Sequence, residues 1–332
     1  MSVDETSAAK EETGPPDRLV GVRMPYDELP ASVEDWVQET LGSPIVEALP
    51  RTGGMSPAVA ATVVGADGRR LFVKAVGSSV HPETPDHFRH EIAVLRALSA
   101  LDPVSYRAGL LSAYDDGDWV AIALEDVDGR HPDLSSAGGR AAVLDAVLTQ
   151  IAELTPPPAG VPPQSTRDVL TKNVERLHRA DPAELAGLPP WAAADLTRLR
   201  DLTELCLEHQ RDETFCHWDI RYDNILVRPD GKPVLLDWGM SRLGPRWSDL
   251  MAFGIEWVGS SSFDDVVSAG GLTAVEQRDV TGFLAGVGCY GLMMATHPAH
   301  PSLPNLPAFR RRLGTACLQG VRRRLADPDL HP

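Results

Sequence analysis

Three oxygen-bearing side chains stand near one another in the second half of the chain. Asp219 and Asn224 lie five apart in Phe215-Cys-His-Trp-Asp-Ile-Arg-Tyr-Asp-Asn-Ile-Leu-Val227, and Asp237 follows in Val234-Leu-Leu-Asp-Trp-Gly239. Apolar residues flank each cluster, so each reads as a loop or strand end pinned into a core with its polar groups facing out. Between them Arg228-Pro-Asp-Gly-Lys232 carries Asp230-Gly231, a strong hairpin signal that folds Asp237 back toward Asp219. Hard oxygen donors of this kind suit magnesium, which keeps most of its waters and is held by one or two carboxylates plus substrate phosphates. A lone His, Asp or Asn in a loop is most simply a cap or turn-former. The spacing, the hairpin and the paired acidic clusters together point instead to phosphoryl transfer.

Such a site needs elements upstream that can hold a nucleotide. Ile45 to Leu49, Ala58 to Val64 and Arg70 to Val76 are strand-like, the last two joined by Ala66-Asp67-Gly68. Between the first two, Arg51-Thr-Gly-Gly-Met-Ser56 is a glycine-rich hairpin. Without Cβ atoms, Gly53 and Gly54 let backbone N–H groups approach an anion, with Ser56 beside them. Taken alone, Gly-Gly in a hairpin is a turn. Lys74 has apolar neighbours on both sides in Leu71-Phe-Val-Lys-Ala-Val76, a costly place for an ammonium without a partner. The helix expected over Asp86 to Ala100 offers Glu91 at the edge of a face built from Phe88, Ile92, Leu95 and Leu98. A second hairpin, Leu111 to Tyr114 and Trp119 to Leu124, ends in Leu124-Glu-Asp-Val-Asp-Gly129.

The 217–224 stretch resembles the His-x-Asp-x-x-x-x-Asn catalytic loop of the aminoglycoside phosphotransferase and choline kinase-like family, followed by an Asp-x-Gly metal segment. The order of glycine loop, lysine, glutamate, hinge, base loop and metal aspartate covers about Thr52 to Asp249. The resemblance implies an α+β, bilobal protein-kinase-like fold with a small antiparallel-sheet N-lobe and a mostly helical C-lobe. The polar composition of the first residues makes 1–25 a disordered tail, and the resemblance divides the rest into a nucleotide-binding N-lobe over 26–127 and a C-lobe over 128–332. It also implies ATP and Mg2+ as cofactors and the γ-phosphate passing to a hydroxyl of a small molecule. Asp219 would be the base, Asn224 and Asp237 the metal ligands, and Lys74 the phosphate anchor held by Glu91. The backbone of about Glu125 to Val127 would pair with adenine. His217 and Asp249 would brace the loop. Arg221, Tyr222 and Asp223 depart from the family's common His-Pro-Gly. Arg221 could neutralise charge on the γ-phosphoryl oxygens or form a salt bridge to Asp223 or Asp237.

Composition sets bounds on the rest. The net charge of −16 disfavours nucleic-acid and anionic-membrane partners, which need a basic face. It is compatible with a cationic small acceptor, although acidic surfaces more simply serve solubility. Cys206, Cys216, Cys289 and Cys317 are scattered without a Cys-x-x-Cys pair and read as buried structural thiols of a reduced cytoplasm, in a monomer or homodimer. The start of the chain has neither the basic nor the apolar region of a signal peptide.

Further helices are expected around Ser32 (as an N-cap) to Gly42, Gly138 to Leu154, Thr166 to Arg179, Trp191 to His209, Trp247 onward (Ser248 or Asp249 capping), Glu276 to Thr296 and Pro307 to Leu325. Pro156 to Pro163 is a surface connector. Arg310-Arg-Arg312 and Arg322-Arg-Arg324 read as a solvated helix face. Ser261-Ser-Phe-Asp-Asp reads first as a helix start; alternatively Glu256, Asp264 and Asp265 form an acidic acceptor wall. Trp218 and Trp238 read as core cover. An aminoglycoside or related antibiotic suits the acidic balance as acceptor, while amino-sugar, choline, nucleoside or macrolide kinases share the same core. A silent ATP-binding pseudokinase is a rival reading. A protein kinase is disfavoured, because too few residues separate Asp237-Trp-Gly239 from Trp247 for an activation loop.

Overall fold

The strand-like runs of the first third pair into one antiparallel sheet. Ile45–Pro50 (β1), Val59–Gly65 (β2), Arg70–Gly77 (β3), Leu110–Asp115 (β4) and Trp119–Glu125 (β5) lie in the order β1-β2-β3-β5-β4. The computed structural model describes residues 22–51, 54, 56–101, 106–299, 301, 304–328 and 330. Most of the expected tail and Gly53 of the glycine turn therefore lie outside the described residues. Residues 22–25, assigned to that tail, run extended against the lobe, with the Met24 N–H donating to Pro57 O at 3.0 Å.

Ala31–Leu41 (α1) covers one face of the sheet through Val33, Val37 and Leu41, and Thr84–Ser99 (α2) covers the other through Phe88, Ile92, Leu95 and Leu98. With both faces covered, the central strands are apolar nearly throughout. Period-two alternation then sends Leu71, Val73 and Ala75 toward α1, and Phe72 and Val76 toward α2, so Lys74 projects on the α2 side where Glu91 stands. Truncating Ile92 to Ala would remove about 2–5 kcal/mol of packing and loosen the helix that carries Glu91. Ser32 is not a cap: α1 starts after Pro30 with no side-chain cap bond, because Pro30 already fixes an extended entry. Gly42 ends it at φ +67°, as expected of a left-handed C-cap.

The C-lobe comprises Ala137–Glu153 (α3), Thr166–Arg179 (α4), Pro182–Leu185 (α5), Pro190–Ala194 (α6), Leu196–His209 (α7), Ser248–Gly254 (α8), Ser261–Ser268 (α9), Ala274–Met294 (α10) and Leu306–Leu325 (α11). The single helix expected over 191–209 is broken at Asp195. The short α5 went unread, although Asp181 and Glu184 form a capping box there. Short antiparallel pairs frame the site: Thr214–Cys216 (β6) with Arg242–Gly244 (β9), and Ile225–Val227 (β7) with Pro233–Leu235 (β8). Buried α10 packs between α7 and α11. Gly282 is required there, since a Cβ would come within 2.2 Å of Leu202 O.

One sequence expectation, the solvated face of Arg322-Arg-Arg324, and one alternative, the acidic wall, fail for one reason. Arg324 is fully buried, not solvated, donating to Thr281, Gln277 and Asp264, and Arg323 also pairs with Asp264. Asp264 is therefore a buried counter-ion on α9 and not an acceptor-facing carboxylate. Glu256 accepts the Tyr222 N–H at 3.1 Å, Asp265 is exposed, and none of the three lines the interlobe cleft. The helix-start reading of Ser261 onward is the one observed. All four cysteines are free and buried. No helix among the described residues is long and apolar enough to cross a membrane.

Candidate active site

Beneath the sheet, β6 delivers the loop 217–224 to the floor of a cleft of about 1020 Å³ between the lobes. Trp218 is held at φ +70°, a backbone state costing about 1–3 kcal/mol, so neighbouring contacts must impose it. Asp249 at the start of α8 supplies them. Its Oδ2 accepts the His217 N–H and its Oδ1 the Trp218 N–H, both at 2.8 Å, while Gln150 of α3 donates to Oδ2 at 2.6 Å. Neither Ser248 nor Asp249 caps α8. The Asp249 carboxylate points to the loop instead, and burial pushes its pKa up to about 6 against those bonds.

His217 is fully buried. Its Nε2 lies 3.0 Å from Leu236 O and its Nδ1 accepts the Asp219 N–H at 3.3 Å, which fixes the neutral Nε2–H tautomer. Burial lowers its pKa to about 4. One ring thus ties the 217–224 loop to the segment leading into Asp237. Trp238 is buried in the core, and Trp218 packs edge-on against Phe283 beneath Arg242; neither lines the cleft.

Asp219, with 22% of its side chain exposed, accepts from Asn224 Nδ2 at Oδ2 (2.9 Å), and Asn224 Nδ2 also reaches Asp219 O at 2.9 Å. Both partners are acceptors, so Nδ2 must face them and Asn224 Oδ1 keeps its lone pairs. Burial raises the Asp219 pKa to about 6; the Arg221 guanidinium opposes this and the Asp237 charge reinforces it. Arg221 Nε lies 3.2 Å from Asp219 Oδ1 and Nη2 lies 3.1 Å from Asp223 Oδ2. The salt bridge to Asp223 is therefore formed, and Asp219 is the second partner.

Across the cleft Lys74 Nζ meets Glu91 Oε1 at 3.0 Å, Glu91 Oε2 at 3.1 Å and Asp237 Oδ1 at 3.0 Å. Burial disfavours the ammonium, but two carboxylates outweigh it and its pKa is raised. Asp237 adopts φ +65°, which Asp tolerates better than most residues. Burial opposes its charge and Lys74 restores it, leaving the pKa lowered. Asn224 Oδ1 and the Asp237 carboxylate are the hard donors available to a cation. No group of three His, Cys, Asp or Glu residues among the described residues could hold a metal alone, so the donor set fits one that takes most of its shell from water and phosphate.

At the back of the cleft, Glu125, Asp126 and Val127 join the lobes. The Glu125 N–H already donates to Gly109 O at 2.9 Å, and its carboxylate pairs with Arg228 at 2.7 Å. Asp126 accepts from Thr62 of β2 at 2.7 Å and Arg70 of β3 at 2.8 Å, a clamp that sequence reading missed because its donors lie on two separate strands. Gly54 and Ser56 line the cleft with Lys74, Glu91, Asp219, Arg221, Asn224 and Asp237. Arg23, His87 and Arg310 also line it. None stands in a motif, and only the tertiary fold brings them there.

This arrangement, an anchored lysine over one carboxylate and a carboxylate–amide pair below, is that of a phosphotransferase of protein-kinase-like fold. The profile of the phosphotransferase enzyme family, APH, matches residues 47–282, and the chain belongs to that family. It is a small-molecule phosphotransferase with an alcohol group as acceptor. Among solved structures, a thermostable mutant of aminoglycoside phosphotransferase APH(4)-Ia, in ternary complex with ADP and hygromycin B, is similar at 15% identity. Its TM-score is 0.61, over 88% of this chain and 98% of that one. The choline kinase LicA from Streptococcus pneumoniae is similar at 13% identity and a TM-score of 0.58, over 88% and 100% of the two chains. An aminoglycoside phosphotransferase from Alicyclobacillus acidocaldarius is similar at 16% identity and a TM-score of 0.56, over 85% and 93%. None of the curated protein sequences compared matches the chain.

Proposed function

We propose that the chain transfers the γ-phosphate of ATP, with Mg2+, to a hydroxyl of a small molecule. The observation that carries this reading is the convergence of Lys74–Asp237 from one side and Asp219–Asn224 from the other on a single cleft. Lys74 anchors the nucleotide phosphates and Glu91 holds Lys74. Gly53, Gly54 and Ser56 offer backbone donors to the same phosphates. Val127, whose backbone makes no hydrogen bond among the described residues, pairs with adenine more readily than Glu125, whose N–H is engaged. Asn224 and Asp237 would hold magnesium, which neutralises charge on the phosphate oxygens.

Asp219 orients the acceptor hydroxyl and takes its proton. A carboxyl titrating near 6 is ionised at neutral pH yet more basic than an ordinary aspartate, which suits a general base. Arg221 Nε forms an ion pair at 3.2 Å with the Asp219 oxygen that Asn224 does not hold and places positive charge beside the transferring group.

The first acceptor reading is an aminoglycoside or related cationic antibiotic, drawn to Asp219 and Asp223 on the cleft floor. The structural neighbour holding ADP with hygromycin B supports it. A second reading, a less cationic small metabolite, is favoured by one observation: Arg310 of α11 lines the cleft without an ion pair among the described residues. The test is transfer from γ-labelled ATP across aminoglycosides, amino sugars, choline, nucleosides and macrolides. Label should enter one class in wild type and fall by about 100-fold or more in Asp219→Asn, with ATP binding kept. Mg-ATP binding without transfer to any acceptor would leave a silent nucleotide-binding protein.

A further inference from the structure

We propose that Gln150 of α3 is a positioning residue of the catalytic loop: acting through Asp249, it holds the 217–219 backbone in the path that aims Asp219 into the cleft. The inference rests on the reading of Asp219 as the base, and adds to it a residue that stands in no motif and does not line the cleft.

Gln150 occupies a place that helical spacing reserves for an apolar side chain. Val143, Ala146, Val147, Gln150 and Leu154 form the buried stripe of α3 and its C-cap, at i, i+3, i+4, i+7 and i+11, whereas Leu144, Leu148 and Ile151 are only partly buried. The Gln150 side chain is fully buried. Its Nε2 donates to Asp249 Oδ2 at 2.6 Å, and its Oε1 has no hydrogen-bond partner among the described residues. A carboxylate only accepts, so the amide cannot turn over without losing that bond. A buried carbonyl oxygen without a donor is destabilising, and a methionine would fill the same space without that penalty. A polar side chain kept in an apolar stripe against stability marks a requirement other than packing.

Asp249 shows what the requirement is. Among the described residues its buried carboxylate has no cation beside it and is held by three neutral donors: the His217 and Trp218 N–H groups and the Gln150 amide. Burial works against its charge, and those three bonds work for it. The two N–H groups belong to consecutive residues, so alone they leave the carboxylate free to swing about the line between them. Gln150 approaches from another helix and fixes a third point. Leu154, one turn further along the same stripe, accepts the Phe215 N–H at 3.1 Å and the Thr214 hydroxyl at 2.9 Å through its carbonyl. One face of α3 thus holds the loop twice, at the strand β6 that enters it and at the carboxylate that braces its first two residues. Without the third bond Trp218 has less to keep it at φ +70°, and Asp219, the next residue, turns with it.

The plainer role for Gln150 is to pack α3 against α8, and a methionine of similar shape would serve that equally well. The experiment measures kcat and the KM for Mg-ATP at saturating acceptor in wild type, Gln150→Met, Asp249→Asn and the double variant, together with hydrogen exchange at the His217 and Trp218 amides. Gln150→Met should lower kcat by about tenfold or more, the effect of a misaimed base, with the KM for ATP within twofold. Exchange at both amides should speed by about tenfold, while exchange in β3 of the N-lobe stays within about twofold. The double variant should turn over as Asp249→Asn does alone, because Gln150 acts only through that carboxylate. Wild-type turnover in folded Gln150→Met overturns the proposal, and so does a double variant slowed by the product of the two single losses. If Gln150→Met does not fold, Gln150→Leu takes its place in the same comparisons. If wild type passes phosphate to no acceptor, the reading of the cleft fails; faster exchange at the two amides then still supports Gln150 as their brace, and unchanged exchange overturns it.

Discussion

Lys74 and Asp237 are 163 residues apart in the chain and meet at 3.0 Å across the interlobe cleft. The ammonium also holds Glu91 of α2, so one side chain on β3 joins the sheet, the α2 helix and the segment after β8. The contact that joins the lobes and the proposed phosphate anchor therefore share one atom. Replacing Lys74 by Met should leave Glu91 buried without its partner. Removing one member of a buried ion pair costs about 3–5 kcal/mol, and the low end applies because Asp237 is half open to water. Denaturant unfolding should show that loss together with a large rise in nucleotide Kd. A variant as stable as wild type would mean that Glu91 is satisfied without Lys74.

Asp237→Ala removes the carboxylate that faces both Lys74 and the proposed cation. The Mg2+-dependent part of the thermal shift produced by ATP should then largely vanish, because ligand stabilisation scales with affinity. Titration of Tm against Mg2+ at fixed ATP measures it. An unchanged shift would place the metal elsewhere.

The brace at Asp249 predicts a loss of turnover without a contact to substrate. Asp249→Ala leaves the His217 and Trp218 N–H groups buried and unbonded and frees Trp218 from φ +70°. Unfolding free energy should drop by roughly 2–4 kcal/mol. In the fraction that remains folded, kcat should fall more than the KM for ATP. Equal stability in the variant would show that the loop holds its strained state unaided.

His217 and Asp249 predict opposing pH dependences. His217 is held near 4 from an ordinary value of 6.5, so its neutral form contributes stability above about 6.5 that is lost as pH falls toward 4. Asp249 is raised to about 6, so its contribution is present below about 4 and fades as pH rises through 6. The stability difference between wild type and His217→Asn should therefore shrink by about 3 kcal/mol from pH 6.5 to pH 4. A difference independent of pH would show that His217 titrates normally.

Asp264→Ala separates the two readings of the 256–265 cluster. It strands the fully buried Arg324, so unfolding free energy should fall by about 3–5 kcal/mol while the acceptor KM is unchanged. A raised acceptor KM at unchanged stability would restore the acidic-wall reading.

The chemistry of this protein was legible wherever local rules are strong. Asp219, Asn224 and Asp237 could be found because their spacing and the Asp230-Gly231 turn are contiguous in the chain. Lys74 stood out because an ammonium among apolar residues needs a partner; helical periodicity put Glu91 at the edge of the α2 face, and the family resemblance paired the two. The bracing roles of His217 and Asp249 came from the family resemblance alone, and the structure supplies their bonds. Short strand-like runs separated by turn residues placed β1 to β5, with ends within a residue or two.

Tertiary structure alone decided where long side chains go. Arg324 and its neighbours look alike in sequence, yet burial against α9 and α10 makes Arg324 the counter-ion of Asp264, while Arg322 lies over Trp191. Glu256 and Asp264 carry the same charge as Asp219, but only packing determined that one meets a backbone amide, one an arginine and one the cleft. Arg23 shows the same limit most plainly, since no local pattern links an extended segment before α1 to the cleft. Secondary structure follows from spacing along a few residues, whereas the partner of a flexible charged side chain is set by which element the fold brings within a few ångströms. That information does not exist until the chain has closed on itself.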